Sequence, residues 1–204
     1  MKKLIALLLA ALMVLGMAAC GATEEDKGGN TTDAPATDAP TTTAAQMDAP
    51  ASALEVLENT WALYGEEEKF FAMGGMTDDG APAADNAPGS VVLSPSDYLQ
   101  YNLLVPAENV GLVTECASIM HAMNANTFTC GAYKVSDADA FVAAMEAAID
   151  GNQWMCGFPE KLLIANVGGV IVIAFGNGEV MDTFTGHLET AYAGAEKLVD
   201  KAIG

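Results

Sequence analysis

Two apolar runs rich in β-branched residues, separated by a pair of glycines, constrain the fold of this chain most strongly. Leu162 to Val167 and Val170 to Phe175 are almost entirely apolar, and Gly168-Gly169 stands between them. Adjacent glycines suit the positive φ angles of a two-residue turn between antiparallel strands. Runs that are apolar throughout are typical of strands covered on at least one face. The sequence therefore predicts a hairpin of central strands.

A second hairpin is predicted upstream of the first. Its arms are Val110 to Met120 and Phe128 to Val135, and the small and polar residues Met123-Asn124-Ala125-Asn126 form the connecting turn. Both arms are rich in strand-forming residues and are bounded by turn residues. We therefore expect four antiparallel strands in one sheet.

Helix signals flank the two hairpins. Capping sequences precede three predicted helices: Ser52-Ala53-Leu54-Glu55, Ser94-Pro95-Ser96-Asp97 and Ser136-Asp137-Ala138-Asp139. Pro95 takes the first position of the second helix, which ends near Leu103, and Gly151 ends the third. From Gly178 to Ala202, apolar residues recur every three or four positions, which predicts a long final helix.

The order of these elements predicts the fold class. It reads α-α-β-β-α-β-β-α, and the simplest arrangement is an α+β domain with a four-stranded antiparallel sheet packed by helices. The segment 52–204 has a comfortable length for a single hydrophobic core. Within it, residues 76–90 are rich in Asp, Gly and Pro and are predicted to form a loose acidic loop.

The N-terminus has the features of a lipoprotein signal peptide over residues 1–19. Lys2-Lys3 precede the apolar run Leu4 to Leu15, which is too short to span a membrane as a helix. The sequence Met17-Ala18-Ala19-Cys20 then forms a lipobox. We expect Cys20 to be acylated with palmitate-type chains, so that the lipid bilayer is one partner of the protein.

A tether is predicted between the lipidation site and the domain. Residues 20–51 are rich in Thr, Ala, Asp and Pro, and Asp-Ala-Pro recurs three times. Such a segment has too few large apolar side chains to offset the entropy of ordering. The expected location is therefore the extracellular face of the cell membrane, with the domain held by a disordered linker.

The charge of the chain excludes one class of function. The formal net charge is −19, and the sequence contains no Arg. Nucleic-acid binding requires clustered cations that neutralise phosphates, and this chain offers the opposite field. An acidic protein of this kind is expected to be soluble and to bind no nucleic acid.

No catalytic constellation is evident in the sequence. The histidines are His121 and His187, and neither lies in a known catalytic motif. Ser118 and His121 have odd spacing on a predicted strand, so their side chains should point to opposite faces. We therefore expect a non-enzymatic protein that needs no cofactor.

Metal binding is not expected either. Asp78, Asp79, Asp85 and Asn86 share one loop, but their spacing is not that of an EF-hand. The methionines fall mostly at apolar positions of predicted elements, where they would fill the core. The sequence predicts no metal site.

The thiols leave several alternatives open. Cys116, Cys130 and Cys156 form no C-x-x-C motif, and their odd number leaves at least one unpaired. Free buried thiols, one disulfide between neighbouring strands, and a reactive thiol are all compatible with the sequence.

The layout of the chain resembles that of a known family. The features that carry the resemblance are the lipobox, Gly131-Ala132-Tyr133-Lys134-Val135-Ser136-Asp137, Gly157-Phe158-Pro159-Glu160-Lys161-Leu162 and Gly168-Gly169-Val170. The family comprises uncharacterised extracytoplasmic lipoproteins of Gram-positive anaerobic bacteria, built on a domain of unknown function. Some relatives are labelled bacteriocin transport accessory proteins. The resemblance implies no catalytic residues, and residues 77–90 resemble an insertion.

Together these features predict a binding or accessory module at the cell envelope. Aromatic side chains are good interface anchors, and Trp61, Tyr64 and Trp154 are the candidate contact residues. An envelope protein or a transporter is the expected partner. One alternative function is a ligand-binding subunit of a membrane transporter, and another is a thiol-based redox protein.

Overall fold

The computed structural model describes residues 49–204, so the predicted signal peptide, Cys20 and most of the tether lie outside the described range. This range folds as one antiparallel sheet of eight strands with helices against it. The strands are β1 (Ala72–Gly74), β2 (Ala84–Asp85), β3 (Gly89–Ser90), β4 (Val113–His121), β5 (Phe128–Val135), β6 (Lys161–Val167), β7 (Val170–Gly176) and β8 (Glu196–Ala202). The α-helices are α1 (Ala53–Trp61), α2 (Asp97–Tyr101), α3 (Ala138–Asp150) and α4 (Gly178–Ala191), and 3-10 turns cover Ala107–Leu112 and Ala125–Thr127. Between residues 49 and 204, no helix has the length and apolar character needed to cross a membrane.

Both predicted hairpins are confirmed and form the centre of the sheet. The strand order is β2-β1-β4-β5-β7-β6-β8, and β3 pairs with β4 beside β1. Gly168 and Gly169 have φ angles of +59° and +96°, as the tight turn between β6 and β7 requires. The Asn166 side-chain oxygen accepts a hydrogen bond from the Gly169 N–H at 2.9 Å and fixes this turn.

The prediction of a four-stranded sheet is wrong, although the α+β class fits the structure. Of the additional strands, β1 and β3 pair with the edge of β4 that β5 leaves free, and β2 pairs with β1. The segment 76–90, expected to be a loose loop, contains β2 and β3. These strands are only two or three residues long, so they carry no readable hydrophobic period. The backbone approaches itself closely in this region. A Cβ added to Gly74 would lie only 2.1 Å from the Ala87 carbonyl oxygen.

The predicted long final helix is also wrong in its second half. Helix α4 ends at Ala191, and Glu196–Ala202 forms β8, which pairs with β6. The apolar residues of this segment fit helical spacing, but β6 has a second edge whose backbone groups need partners. Lys197 binds Glu189 of α4, and Lys201 binds Glu146 and Asp150 of α3 at 2.6 Å, so β8 is held from both sides of the sheet.

The other helices begin close to their predicted caps, with one exception. Ser52 accepts a hydrogen bond from the Glu55 N–H at 3.0 Å, and Asp137 caps α3 through the Ala140 N–H at 3.1 Å. Helix α2 begins at Asp97, two residues later than predicted, and the peptide bond before Pro95 is cis.

Alternation along the strands divides the core into two faces. Face A is covered by α1 and α4, and its buried strand residues include Ala117, Ile119, Phe128, Cys130, Ala132, Leu163, Ala165, Val172 and Ala174. Face B is covered by α2, α3 and the loops around them, and its buried strand residues include Cys116, Met120, Tyr133, Leu162, Ile164, Ile171, Ile173 and Phe175. Helices therefore shield the central hairpins on both sides.

The chain enters the described domain beside the β6–β7 turn. A Cβ on Gly168 would lie 2.9 Å from Pro50 Cδ and 3.0 Å from Ala49 Cβ. Pro50 is buried there, whereas Ala49 is exposed. The first described residues are therefore packed against the turn that the Gly-Gly pair forms.

Candidate binding sites

The three aromatic residues predicted as contacts do not come together. Trp61 and Tyr64 belong to face A, whereas Trp154 packs on face B. The Trp61 indole N–H donates to the Asn86 carbonyl at 3.1 Å, and its ring lies 4.6 Å from the Tyr64 ring. Tyr64 is only 5% exposed. Trp61, at the end of α1, and Tyr64, three residues later, therefore serve the core more than a binding surface.

The Tyr64 hydroxyl is buried without a hydrogen-bond partner among residues 49–204. Burial raises the pKa of this phenol far above its ordinary value, and Cys130 and Glu68 add to the effect. The ring also lies 4.5 Å from the His187 ring. Tyr64 is therefore a neutral core residue at any physiological pH.

Trp154 is half-buried and lines a larger cavity than the one beside Tyr64. Its ring packs 5.2 Å from Phe175, and its indole N–H is buried with no partner in the described part of the chain. The cavity has a volume of about 330 Å³, and Phe158, Pro159 and Ile203 also line it. A buried donor without an acceptor costs free energy, so the indole N–H is a local cost to the fold.

Three large apolar side chains are exposed next to this cavity. Met123, Met155 and Phe158 are 79%, 78% and 75% exposed. Met155 follows Trp154 directly, and Phe158 lies in the same loop. Met123 lies in the turn between β4 and β5. We name these three residues, with Trp154 at their base, the loop patch. The sequence indicates Trp154 as a contact residue but gives no such signal for the other three.

Two asparagine side chains fix the loop patch in place. The Asn124 side-chain amide donates to the Cys156 carbonyl at 2.8 Å. The Asn126 side-chain amide donates to the Met155 carbonyl at 2.7 Å and to the Gly157 carbonyl at 3.1 Å. These bonds hold the loop in an uncommon conformation, since Cys156 has a φ of +63°. The apolar side chains therefore project from a braced backbone.

A second cavity lies on face B beside α2. It has a volume of about 270 Å³, and its lining includes Met76, Asp78, Val92, Pro95, Asp97, Tyr98 and Tyr101. We name it the tyrosine cavity. Tyr98 is buried, whereas Tyr101 is 78% exposed. Pro95 and Asp97 flank the tyrosines in the sequence, but the return of the segment 76–80 to the same cavity has no local sequence signal.

Hydrogen bonds hold the inner wall of the tyrosine cavity. The Tyr98 and Ser118 hydroxyls are 2.9 Å apart, and the Ser118 hydroxyl also accepts from the Gly75 N–H at 3.2 Å. Burial raises the Tyr98 pKa to about 12, although the bond to Ser118 opposes the shift. The outer loop is held by Thr77, whose hydroxyl contacts Asp79 at 2.5 Å and the Ala81 carbonyl at 2.8 Å. The bond from the Thr77 hydroxyl lowers the pKa of the Asp79 carboxyl, with a further contribution from the Ala81 N–H.

The histidines have local structural contacts. His121 Nδ1 accepts from the backbone N–H groups of Met123 and Asn124 at 3.2 and 3.3 Å. His187 Nε2 lies 3.2 Å from a Glu68 carboxylate oxygen. Ser118 bonds to Tyr98 on face B, whereas the His121 ring stacks on Phe70 at 5.4 Å on face A. Ser118 and His121 therefore lie on opposite faces, as their spacing predicts.

The described thiols are all free, and only one is exposed. Cys116 and Cys130 are buried on opposite faces of the sheet, whereas Cys156 is exposed within the loop patch. Burial raises the pKa values of the Cys116 and Cys130 thiols well above their ordinary range. The possible disulfide between neighbouring strands is therefore not formed. Among residues 49–204, no group of three His, Cys, Asp or Glu side chains is placed to hold a metal ion.

Comparison with known proteins gives no relative from which a role could be transferred. Searches of protein-family models, curated proteins and solved structures find no match to this chain. The geometry of the described residues is therefore the basis for any functional argument.

Proposed function

We propose that this protein is a lipid-anchored envelope protein that acts by docking another envelope protein through the loop patch. The observation that carries the proposal is the exposure of Met123, Met155 and Phe158 on two segments that Asn124 and Asn126 brace. Large apolar side chains that are exposed on neighbouring segments of a domain mark interaction sites. Met and Phe are suited to such a site because thioether chains adapt their shape and aromatic rings anchor the contact.

A protein partner suits the loop patch better than a lipid surface does. The net charge of −19 repels anionic lipids and wall polymers. The exposed side chains of the loop patch are Met and Phe, which match an apolar protein surface. The expected partner therefore presents an apolar surface to the loop patch.

Binding rather than catalysis is part of the proposal. His121 and His187 are engaged in local contacts, and Cys116 and Cys130 are buried with raised pKa values. A thiol-based redox role would require a reactive thiolate, and burial disfavours the thiolate form of Cys116 and Cys130. Cys156 is exposed, but it is alone in its loop.

Cys156 offers a direct test of docking, because it is the exposed thiol in the middle of the loop patch. Membranes that carry the full chain would be labelled with a benzophenone maleimide and irradiated, and the adducts identified by mass spectrometry. We expect one recurrent envelope protein. The matched control carries Cys156→Ser with Leu198→Cys, which moves the label to partly exposed Leu198 on β8.

Two outcomes would contradict the proposal. One is the same adduct pattern from position 156 and position 198, and the other is no adduct from position 156. Phe158→Asp should abolish the specific adduct, since a charge would be desolvated in the interface. Cys20→Ala should release the protein from the membrane and reduce crosslinking, and retention on the membrane would contradict the anchoring part alone.

A further inference from the structure

The tyrosine cavity carries negative charge that no basic side chain in the described domain neutralises. Asp78 and Asp97 are exposed at its lining, and no lining residue is Lys, Arg or His. Each lysine between residues 49 and 204 pairs with another carboxylate. The pairs are Lys69 with Glu66, Lys134 with Glu115, Lys161 with Asp182, Lys197 with Glu189 and Asp200, and Lys201 with Glu146 and Asp150. The chain has no Arg. Because the carboxylates of Asp78 and Asp97 have no basic partner at the cavity, the cavity is complementary to a cation.

The walls of the cavity are aromatic and apolar. Tyr98 and Tyr101 contribute phenol rings, and Met76, Val92 and Pro95 contribute apolar surface. Aromatic rings attract organic cations through the negative charge of their faces. Tyr98 is fixed by its bond to Ser118, so this wall exists before a ligand arrives. Pre-formed walls lower the cost of ordering on binding.

We propose that the tyrosine cavity binds a small organic ammonium ion. The carboxylates of Asp78 and Asp97 attract the charged group, and the apolar and aromatic walls cover its carbon skeleton. A bare metal ion suits the cavity less well, since the described residues include no group of three ligating side chains. The volume of about 270 Å³ is close to the lower end of small-molecule sites, which is roughly 300 Å³. This activity is separate from docking through the loop patch.

Matched pairs of cations and neutral analogues test the charge requirement. The purified full-length chain would be titrated with choline against 3,3-dimethylbutan-1-ol, and with phenethylammonium against 2-phenylethanol. Binding would be followed by the NMR chemical shifts of the Gly80 and Asn102 amides, which border the cavity. We expect at least one cation to bind about tenfold more tightly than its neutral analogue. Added NaCl should weaken this binding, because salt screens exposed charges.

Variants locate the bound cation. Asp78→Asn and Asp97→Asn should each weaken binding about 2- to 5-fold, the range typical of exposed ion pairs. Tyr101→Ala should weaken it further, whereas Glu108→Gln, outside the cavity lining, should leave it unchanged. Equal binding of a cation and its neutral analogue overturns the proposal. The proposal is also overturned if no cation shifts the Gly80 and Asn102 amides. It is overturned as well if the double variant Asp78→Asn, Asp97→Asn binds the cation as tightly as the wild type does. The crosslinks from Cys156 are unaffected by any of these results, so the two proposals fail separately.

Discussion

Face A and face B of the sheet are built differently. On face A, α1 and α4 pack against each other, and the Asn59 side-chain amide donates to the Tyr192 hydroxyl at 2.8 Å between them. On face B, the five-residue α2 and long connecting segments share the cover with α3. A cavity of about 190 Å³ beside Tyr64 on face A is smaller than those of about 270 and 330 Å³ on face B. The difference indicates that face A stabilises the fold more than face B, which carries the two larger cavities on which the proposals rest.

The strongest test of this comparison is a matched pair of leucine truncations. Leu57 of α1 and Leu99 of α2 are both fully buried, on face A and face B respectively. We expect Leu57→Ala to lower the free energy of unfolding by about 3–5 kcal/mol and Leu99→Ala by about 2–3 kcal/mol, since the cost depends on how far the surroundings can collapse. Urea unfolding measures both values. A larger loss for Leu99→Ala would contradict the assignment of stability to face A.

A second substitution asks whether the centre of face B is as tightly packed as face A. A Cβ on Gly131 would lie 2.1 Å from the hydroxyl oxygen of Tyr133, which is fully buried. We expect Gly131→Ala to cost about 3 kcal/mol in unfolding free energy, at the upper end of overpacking effects. The double variant Gly131→Ala, Tyr133→Phe should recover part of this loss, because it removes the clashing atom. An unchanged midpoint for Gly131→Ala would mean that face B is loose even at its centre.

Trp154 tests the rim of face B. Trp154→Ala should cost about 2 kcal/mol, because the half-buried ring loses its packing on Phe175. Trp154→Phe should be nearly neutral for stability, since it keeps an aromatic ring and removes a buried N–H that has no partner among the described residues. Urea unfolding compares the two variants, and a loss for Trp154→Phe as large as that for Trp154→Ala would contradict the packing role of the ring.

The smallest expected effect concerns the rim of face A. Hydrogen bonds from the Gly65 N–H and from His187 lower the pKa of the Glu68 carboxyl. A lowered folded-state pKa contributes stability above the ordinary carboxyl pKa, and this contribution is lost as pH falls through the folded value. The stability difference between the wild type and Glu68→Gln should therefore be small at pH 6 and shrink toward pH 3. Thermal unfolding across this range measures the difference, and growth of the difference at low pH would contradict the sign.

The sequence predicts the elements whose signals are local. The Gly168-Gly169 turn, the hairpin arms and the cap of α1 each depend on a few neighbouring residues, and the structure confirms them. Strand β8 was missed because its apolar residues also fit helical spacing, and only the free edge of β6 decides between the two. Strands β1 to β3 were missed because strands this short have no periodic signal.

The binding surfaces were harder to predict than the fold. Trp154 was recognisable as an aromatic residue leaving a helix for a loop, but the braces from Asn124 and Asn126 join segments about thirty residues apart. The tyrosine cavity likewise depends on the fold, which brings Asp78 and Asp97 to the lining of one cavity. Whether an aromatic side chain lies in the core or on the surface depends on such long-range packing. The sequence therefore predicts Trp61 and Tyr64 as contacts, although both pack on face A.

The chain enters the domain at the end of the sheet opposite to the loop patch. Pro50 packs against the β6–β7 turn, whereas the patch adjoins the other end of these strands, where Gly176 pairs with Phe128 and Lys161. The seven residues of β7, at about 3.3 Å each, separate the two ends by roughly 23 Å. Under the proposed lipid anchoring, a partner of the loop patch could therefore bind without entering the gap between the domain and the membrane.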